Sequence, residues 1–241
     1  IGTFINVAAT NICASLGVLF GSKIPERTRT IITDVLGLTV LLAAASALVN
    51  LWSSRFISSV PTGWTLLTIL GSLLLGGLLG SWGRLEDRLD GLGERLRRRF
   101  SGKGESTFVE GFVSASLLFV IGPLSILGSI SDGMSTGVDQ LMLKSSLDFF
   151  AAMAFAATLG WGVAFSAIPV GIYQGVWTLV GVVLGTVLAG YQVDAMTAAG
   201  GVLLLCIGLK LLRIKDVAVG NLLPALAIAP LMAGALHLLI S

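Results

Sequence analysis

The chain has 241 residues, of which 55% are hydrophobic and only 12% charged, with a formal net charge of +2. A mean hydropathy of +0.95, with well under the roughly 25% charged residues of soluble domains, excludes an ordinary soluble domain. Apolar runs long enough to cross roughly 30 Å of hydrocarbon as helices recur, and the short alternating segments of a membrane β-barrel are absent. The fold class is therefore all-α, a polytopic transmembrane helical bundle.

Hydropathy predicts about eight spans, near residues 3–20, 32–51, 62–83, 107–128, 140–159, 167–190, 194–212 and 217–240. Residues 1–241 read as a single transmembrane domain. The connection from Gly160 to Ser166 is barely polar, so seven spans also fit. Gly2 to Phe20 is long and apolar and lacks a basic leader, so we expect a retained first helix rather than a cleavable signal. Cys13 and Cys206 lie in apolar helical sequence without CxxC spacing, as expected of buried, inert thiols.

Basic residues then set an orientation. Lys23, Arg27 and Arg29 fall in the first loop, and Arg84, Arg88, Arg95, Arg97, Arg98, Arg99 and Lys103 in the third. Lys215 falls in the seventh. The opposite loops carry little beyond Arg55. The positive-inside rule places the odd loops in the cytoplasm and both termini outside. Within the third loop, Leu85, Leu89, Leu92, Leu96 and Phe100 recur at steps of three or four. Residues 84–100 therefore read as a basic amphipathic helix lying in the cytoplasmic interface. Docking of a partner protein is the alternative role for it.

Glycines often stand four apart, as in Gly17 with Gly21, Gly76 with Gly80, Gly171 with Gly175 and Gly181 with Gly185. Small residues at this spacing let helix backbones approach closely. At an offset of 164 residues, Gly17 to Gly21 falls on Gly181 to Gly185, and Gly37 falls on Gly201. This suggests an inverted repeat of two-helix units, an arrangement from which many secondary transporters are built.

Nothing in the sequence forms a catalytic constellation. His237 is the single histidine, and HExxH, P-loop, GxSxG and dinucleotide fingerprints are all missing. We therefore expect no enzyme activity, no catalytic residues, no metal site, no cofactor and no nucleic-acid partner.

Ionisable residues within the spans are the better clue. Each costs about 2.5–3.5 kcal/mol on insertion scales and usually faces a cavity or a partner. Asp148 lies inside the fifth span, with Lys144 one turn before it on the same face and Ser145 three residues before it. The alternatives are a cation or proton site whose resting partner is Lys144, and a permanent structural ion pair. Glu110 lies near the cytoplasmic start of the fourth span. Asp132 sits in GSISDG after a Gly122-Pro123 break, where the span is expected to end or unwind. GSISD at 128–132 echoes KSSLD at 144–148, each placing a serine three residues before an aspartate. Gln174, early in the sixth span, and Asn221, early in the eighth, are neutral candidates for the same path. Asn6 and Thr10 in the first span read as interhelical glue, or as residues that complete a polar path.

GTFINVAA at 2–9, IPER at 24–27, FVEGFVSASLLF at 108–119, GSISDG, KSSLD, SAIPVGIYQG at 166–175 and VGNLLPAL at 219–226 together resemble the bacterial family known as domain of unknown function 554. The resemblance covers essentially the whole chain. It implies an integral inner-membrane protein with a transport role, and it supplies no substrate. Family motifs fall on Glu110, Asp132, Lys144, Ser145, Asp148, Gln174 and Asn221, and the chain departs from the family pattern at Ser131, Phe149 and Lys210.

The reading is a multi-pass membrane permease, a secondary transporter of a small solute or cation. Glu110, Asp132 and Asp148 supply acidic groups, Lys144 neutralises Asp148 in the empty state, and Ser145, Gln174 and Asn221 line the path. The alternatives are an ion channel or pore, which would accommodate a homo-oligomer, and a non-transporting scaffold that docks a partner through the basic helix. The lipid bilayer is the expected surrounding in every case.

Overall fold

A computed structural model describes residues 2–20, 26–88, 107–120 and 123–240. All the regular elements among these residues are helical. They are α1 (Gly2–Phe20), α2 (Glu26–Leu48) with a 3-10 turn at Val49–Trp52, α3 (Ser54–Ser59), α4 (Thr65–Trp82), α5 (Thr107–Val120) and α6 (Pro123–Gly133). There follow α7 (Asp139–Leu159), α8 (Gly162–Phe165), α9 (Ala167–Val187), α10 (Gly190–Leu211), α11 (Val219–Leu222) and α12 (Ala225–Ile240). Residues 89–100, most of the predicted interfacial helix, lie outside the described residues; residues 85–88 form a helical turn.

Thr65–Trp82, Gly162–Val187, Gly190–Lys210 and Val219–Leu239 are long and apolar enough to cross a membrane, judged by length and composition. Their outward faces fit lipid. Leu66, Leu70, Leu74 and Leu78 are exposed along α4, as are Ile168, Ile172, Val176 and Leu179 along α9. Continuous apolar surface of this kind is stable against hydrocarbon, not water. The 18 residues of α4 extend about 27 Å, close to the hydrocarbon thickness. Exposed Trp64 and Trp82 stand at its two ends, where indole rings favour the headgroup level.

The fourth predicted span is two helices. α5 ends at Val120 and α6 starts on Pro123, a residue suited to a first turn because the N–H it lacks would go unbonded there. GSISDG, expected to end or unwind the span, forms the last part of α6, which ends on Gly133. Its glycines serve close packing. A Cβ on Gly133 would run into the Thr178 carbonyl and Gly181 of α9, and one on Gly128 would press on Leu141 of α7. The fifth and sixth predicted spans are also distinct. α7 stops at Gly160, whose φ of +71° suits a residue without a Cβ.

The chain forms two compact units, Ile1–Leu36 with Arg88–Val182, and Gly37–Asp87 with Val183–Ser241. In the first, α1 runs parallel to α7, with Gly2 against Leu141 and Gly17 against the Met153 backbone. α9 runs antiparallel to α1, since Val7 packs on Gly171 and the Thr3 and Thr178 hydroxyls share a 2.9 Å hydrogen bond. Cys13, Ala14, Phe119, Ala152, Val163 and Val170 belong to the apolar core of this unit. In the second unit, Gly76 and Gly80 of α4 lie against Ala225 and Asn221, and Phe56, Ile69, Ala195 and Ala229 belong to its core. Gly201 and Gly208 of α10 lie against Ala47 and Leu41 of α2.

Four elements on each side begin at similar offsets. α9, α10, α11 and α12 begin at 167, 190, 219 and 225, against 2, 26, 54 and 65 for α1 to α4, which gives offsets of 165, 164, 165 and 160. α1 with α9, α2 with α10 and α4 with α12 each pack antiparallel. Inverted repeats produce such pairs.

Candidate functional site

The site is built on α7. Asp148 stands nine residues beyond Asp139, about 13 Å along the helix, and is 6% exposed. Lys144, one turn earlier and 5% exposed, donates from its ammonium to the Asp148 carboxylate. The i, i+4 spacing is what brings the two side chains together. Breaking such a buried pair by removing one partner typically costs about 3–5 kcal/mol, because the other charge is left uncompensated. Ser145 is also buried, its hydroxyl donating to the Leu141 carbonyl at 2.6 Å.

α1 supplies the facing groups. Asn6 and Thr10 are fully buried, and the Asn6 side chain lies against the Asp148 carboxylate. Thr10 donates to the Asn6 backbone carbonyl at 2.9 Å, while Asn6 Nδ2 reaches no partner in hydrogen-bond geometry. α9 adds Gln174, also fully buried. Thr178, one turn above it, meets Thr3, and Val170, one turn below, shares a cluster with Cys13 and Ala14. Gln174 therefore sits at the Asn6 and Thr10 level, with neither Oε1 nor Nε2 bonded. Ser129 of α6 is buried as well, and its Oγ has no partner. Buried polar groups are normally bonded, and each one left open costs about 1–3 kcal/mol.

The two sides of this polar layer differ. Towards the C-terminal end of α6, Asp132 accepts the Thr3 N–H at 3.3 Å and Ser131 donates to Gln140 Oε1 at 3.1 Å. These side chains are half-buried. On the other side Cys13, Ala14, Phe119, Ala152 and Val170 form an apolar floor. Half-buried polar groups thus lie on one side of the ion pair and buried apolar side chains on the other.

Of the sequence-predicted residues, Asp132, Lys144, Ser145, Asp148 and Gln174 all lie in the first unit, with Lys144 and Asp148 in direct contact. Glu110 lies on α5, and its side chain falls outside what is described. Asn221 lies in the second unit, where its Oδ1 accepts the Glu86 N–H at 3.0 Å while the Glu86 carboxylate accepts the Gly220 N–H. That reciprocal tie joins α11 to the turn after α4. Asn6 and Thr10, read from the sequence as glue or as part of a polar path, lie on α1, with the Asn6 side chain against Asp148. Asp194, not anticipated, is buried in the second unit and accepts from Ser53 at 2.6 Å and Arg55 at 2.9 Å.

Helices of which four are long and apolar enough to cross a membrane, with a buried ion pair among them, define a polytopic helical membrane protein. More particularly, the chain belongs to the family described as "Protein of unknown function (DUF554)", which matches residues 1–234. It is 31% identical over 233 residues to "Uncharacterized protein YqgA" of Escherichia coli (strain K12), covering 95% of this chain and 94% of that protein. It is 29% identical over 236 residues to "Uncharacterized membrane protein YdfK" of Bacillus subtilis (strain 168), covering 98% of this chain and 96% of that one. No solved structure matches the chain.

Proposed function

We propose that the protein is a permease of the bacterial inner membrane, a secondary transporter of a small solute or cation whose path runs through the polar layer of the first unit. One observation carries this reading: a buried Lys144–Asp148 pair with the Asn6 side chain against its carboxylate, in a unit that also buries Ser129 and Gln174 without hydrogen-bond partners. A purely structural pair would not require the neighbouring Asn6 amide to stay open. The antiparallel packing of α1 on α9, with Val7 on Gly171 beside this layer, adds support, because inverted repeats commonly hold substrate near their pseudo-symmetry axis. The basic loops face the cytoplasm and both termini face outward. The protein works without catalytic chemistry or a bound cofactor, and its constant partner is the lipid bilayer.

Cysteine accessibility tests this without knowledge of the substrate. Ser129→Cys, in a chain whose Cys13 and Cys206 are replaced by serine, is treated with a membrane-impermeant thiol reagent from each side in turn. Alternating access predicts slow labelling from the Asp132 side, with the opposite side reached only when the helices rearrange. Rapid labelling from both sides at once would favour an open pore, and a site inert from both sides would favour a scaffold.

A further inference from the structure

We infer that the end of the second unit where α4 and α10 finish binds the headgroup of an anionic phospholipid, with Arg84 and Arg213 as its cations. This goes beyond the permease reading and does not depend on it. Placement is the first ground. The Glu86 carboxylate, just past α4, accepts the Gly220 N–H and lies 3.9 Å from the Lys210 ammonium in the last turn of α10. Arg84 stands two residues before Glu86, and Arg213 three residues after Lys210. Both arginines therefore belong to this one end, that of the basic third and seventh loops.

Charge is the second ground. Glu86 and Asp216 share Lys210, with Asp216 at 2.9 Å. That leaves Asp87 against Arg84, Arg213 and Lys215, all of them exposed. Among the described residues none of these three cations forms an ion pair.

The backbone gives the third ground. Arg84 and Arg213 have φ of +48° and +56°, a left-handed conformation that a Cβ disfavours and that glycine usually takes just past a helix end. Each closes its helix. The Arg84 N–H donates to the Ser81 carbonyl at 3.0 Å, and the Arg213 N–H to the Lys210 carbonyl at 3.0 Å. Helix C-termini attract cations, but a cation placed earlier, as Lys210 is, meets that need without left-handed backbone. Two helices of one unit thus carry arginine where glycine would fold with less strain, and such outliers point to function.

Apolar neighbours identify the source of the anion. Trp82 and Ile214, close to the two arginines in the chain, are 88% and 66% exposed. Guanidinium groups bind phosphate oxygens in a bidentate manner. A phospholipid supplies that phosphate together with acyl chains for the isoleucine and the indole, whose ring favours the headgroup level. Free phosphate satisfies only the cations.

The full-length protein, stripped of lipid in a neutral detergent, is melted in rising concentrations of dioctanoyl phosphatidylglycerol, the corresponding phosphatidylcholine, or inorganic phosphate. Phosphatidylglycerol should raise the melting temperature saturably, and the other two should not. Glycine suits the left-handed backbone, so the double variant Arg84→Gly with Arg213→Gly should melt no lower than wild type without lipid. Its half-saturating concentration of phosphatidylglycerol should be at least about tenfold higher. If that variant melts lower, Arg84→Gln with Arg213→Gln, which removes only the charge, decides by the same shift. Equal effects of the two lipids, or an unchanged response in the double variant, overturn the inference. So does a response that never saturates, which marks diffuse attraction to a charged surface. An effect of inorganic phosphate as large as that of phosphatidylglycerol makes this a site for free anions and overturns the lipid.

Discussion

Gln174 separates a site from a core more cleanly than the charged pair does. A buried carboxamide with both ends unbonded destabilises the empty protein, so removing it should relieve strain of solvation rather than create a defect. Gln174→Met, similar in volume and apolar, is therefore expected to raise stability by about 1–3 kcal/mol, read as a higher melting temperature, while lowering flux. A drop in both would mean that the amide is structural glue. The sequence marked Lys144, Ser145 and Asp148 because charges three and four apart on an apolar helix must share a face. It identified Gln174 by resemblance and as a polar residue in an apolar run. It could not indicate that Asn6 of α1 meets Asp148, because that contact joins residues 142 positions apart, beyond any local periodicity. Asn221 shows the converse. Its polarity in an apolar context looked like part of a path, yet its side chain caps the turn at Glu86.

The helices themselves were legible from hydropathy, and the Gly122-Pro123 break was visible as punctuation between α5 and α6. GSISDG ends α6 on Gly133, as the sequence suggested, but glycine serves two ends that look alike in sequence. It can release a helix, or it can let another helix come close. Here it does both. Gly133 and Gly181 face one another across the α6–α9 contact, and the Ile130 carbonyl occupies the space a Cβ on Gly181 would need. Gly175, one and a half turns away on α9, has nothing within 4 Å of its would-be Cβ. Gly181→Ala should therefore cost about 1–3 kcal/mol through overpacking. Gly175→Ala should be neutral or slightly stabilising, since alanine favours helix by up to about 1 kcal/mol. Thermal unfolding of the two variants side by side checks the contrast, and equal losses would refute the packing assignment.

For the molecule as a whole, the sequence suggested a repeat at an offset of 164, and four helical elements on each side begin at offsets of 160 to 165. Sequence alone could carry the spacing but not the antiparallel packing of the related pairs, nor the division into two units, since both depend on contacts between distant segments. Function at this scale comes down to whether the buried layer conducts a substrate. Uptake of radiolabelled sodium and rubidium into proteoliposomes, with wild type and Asp148→Asn reconstituted at matched folded yield, asks this directly. The account predicts saturable uptake of one of these cations above that of empty liposomes, abolished in Asp148→Asn. Equal uptake by both proteins, saturable or not, would contradict it.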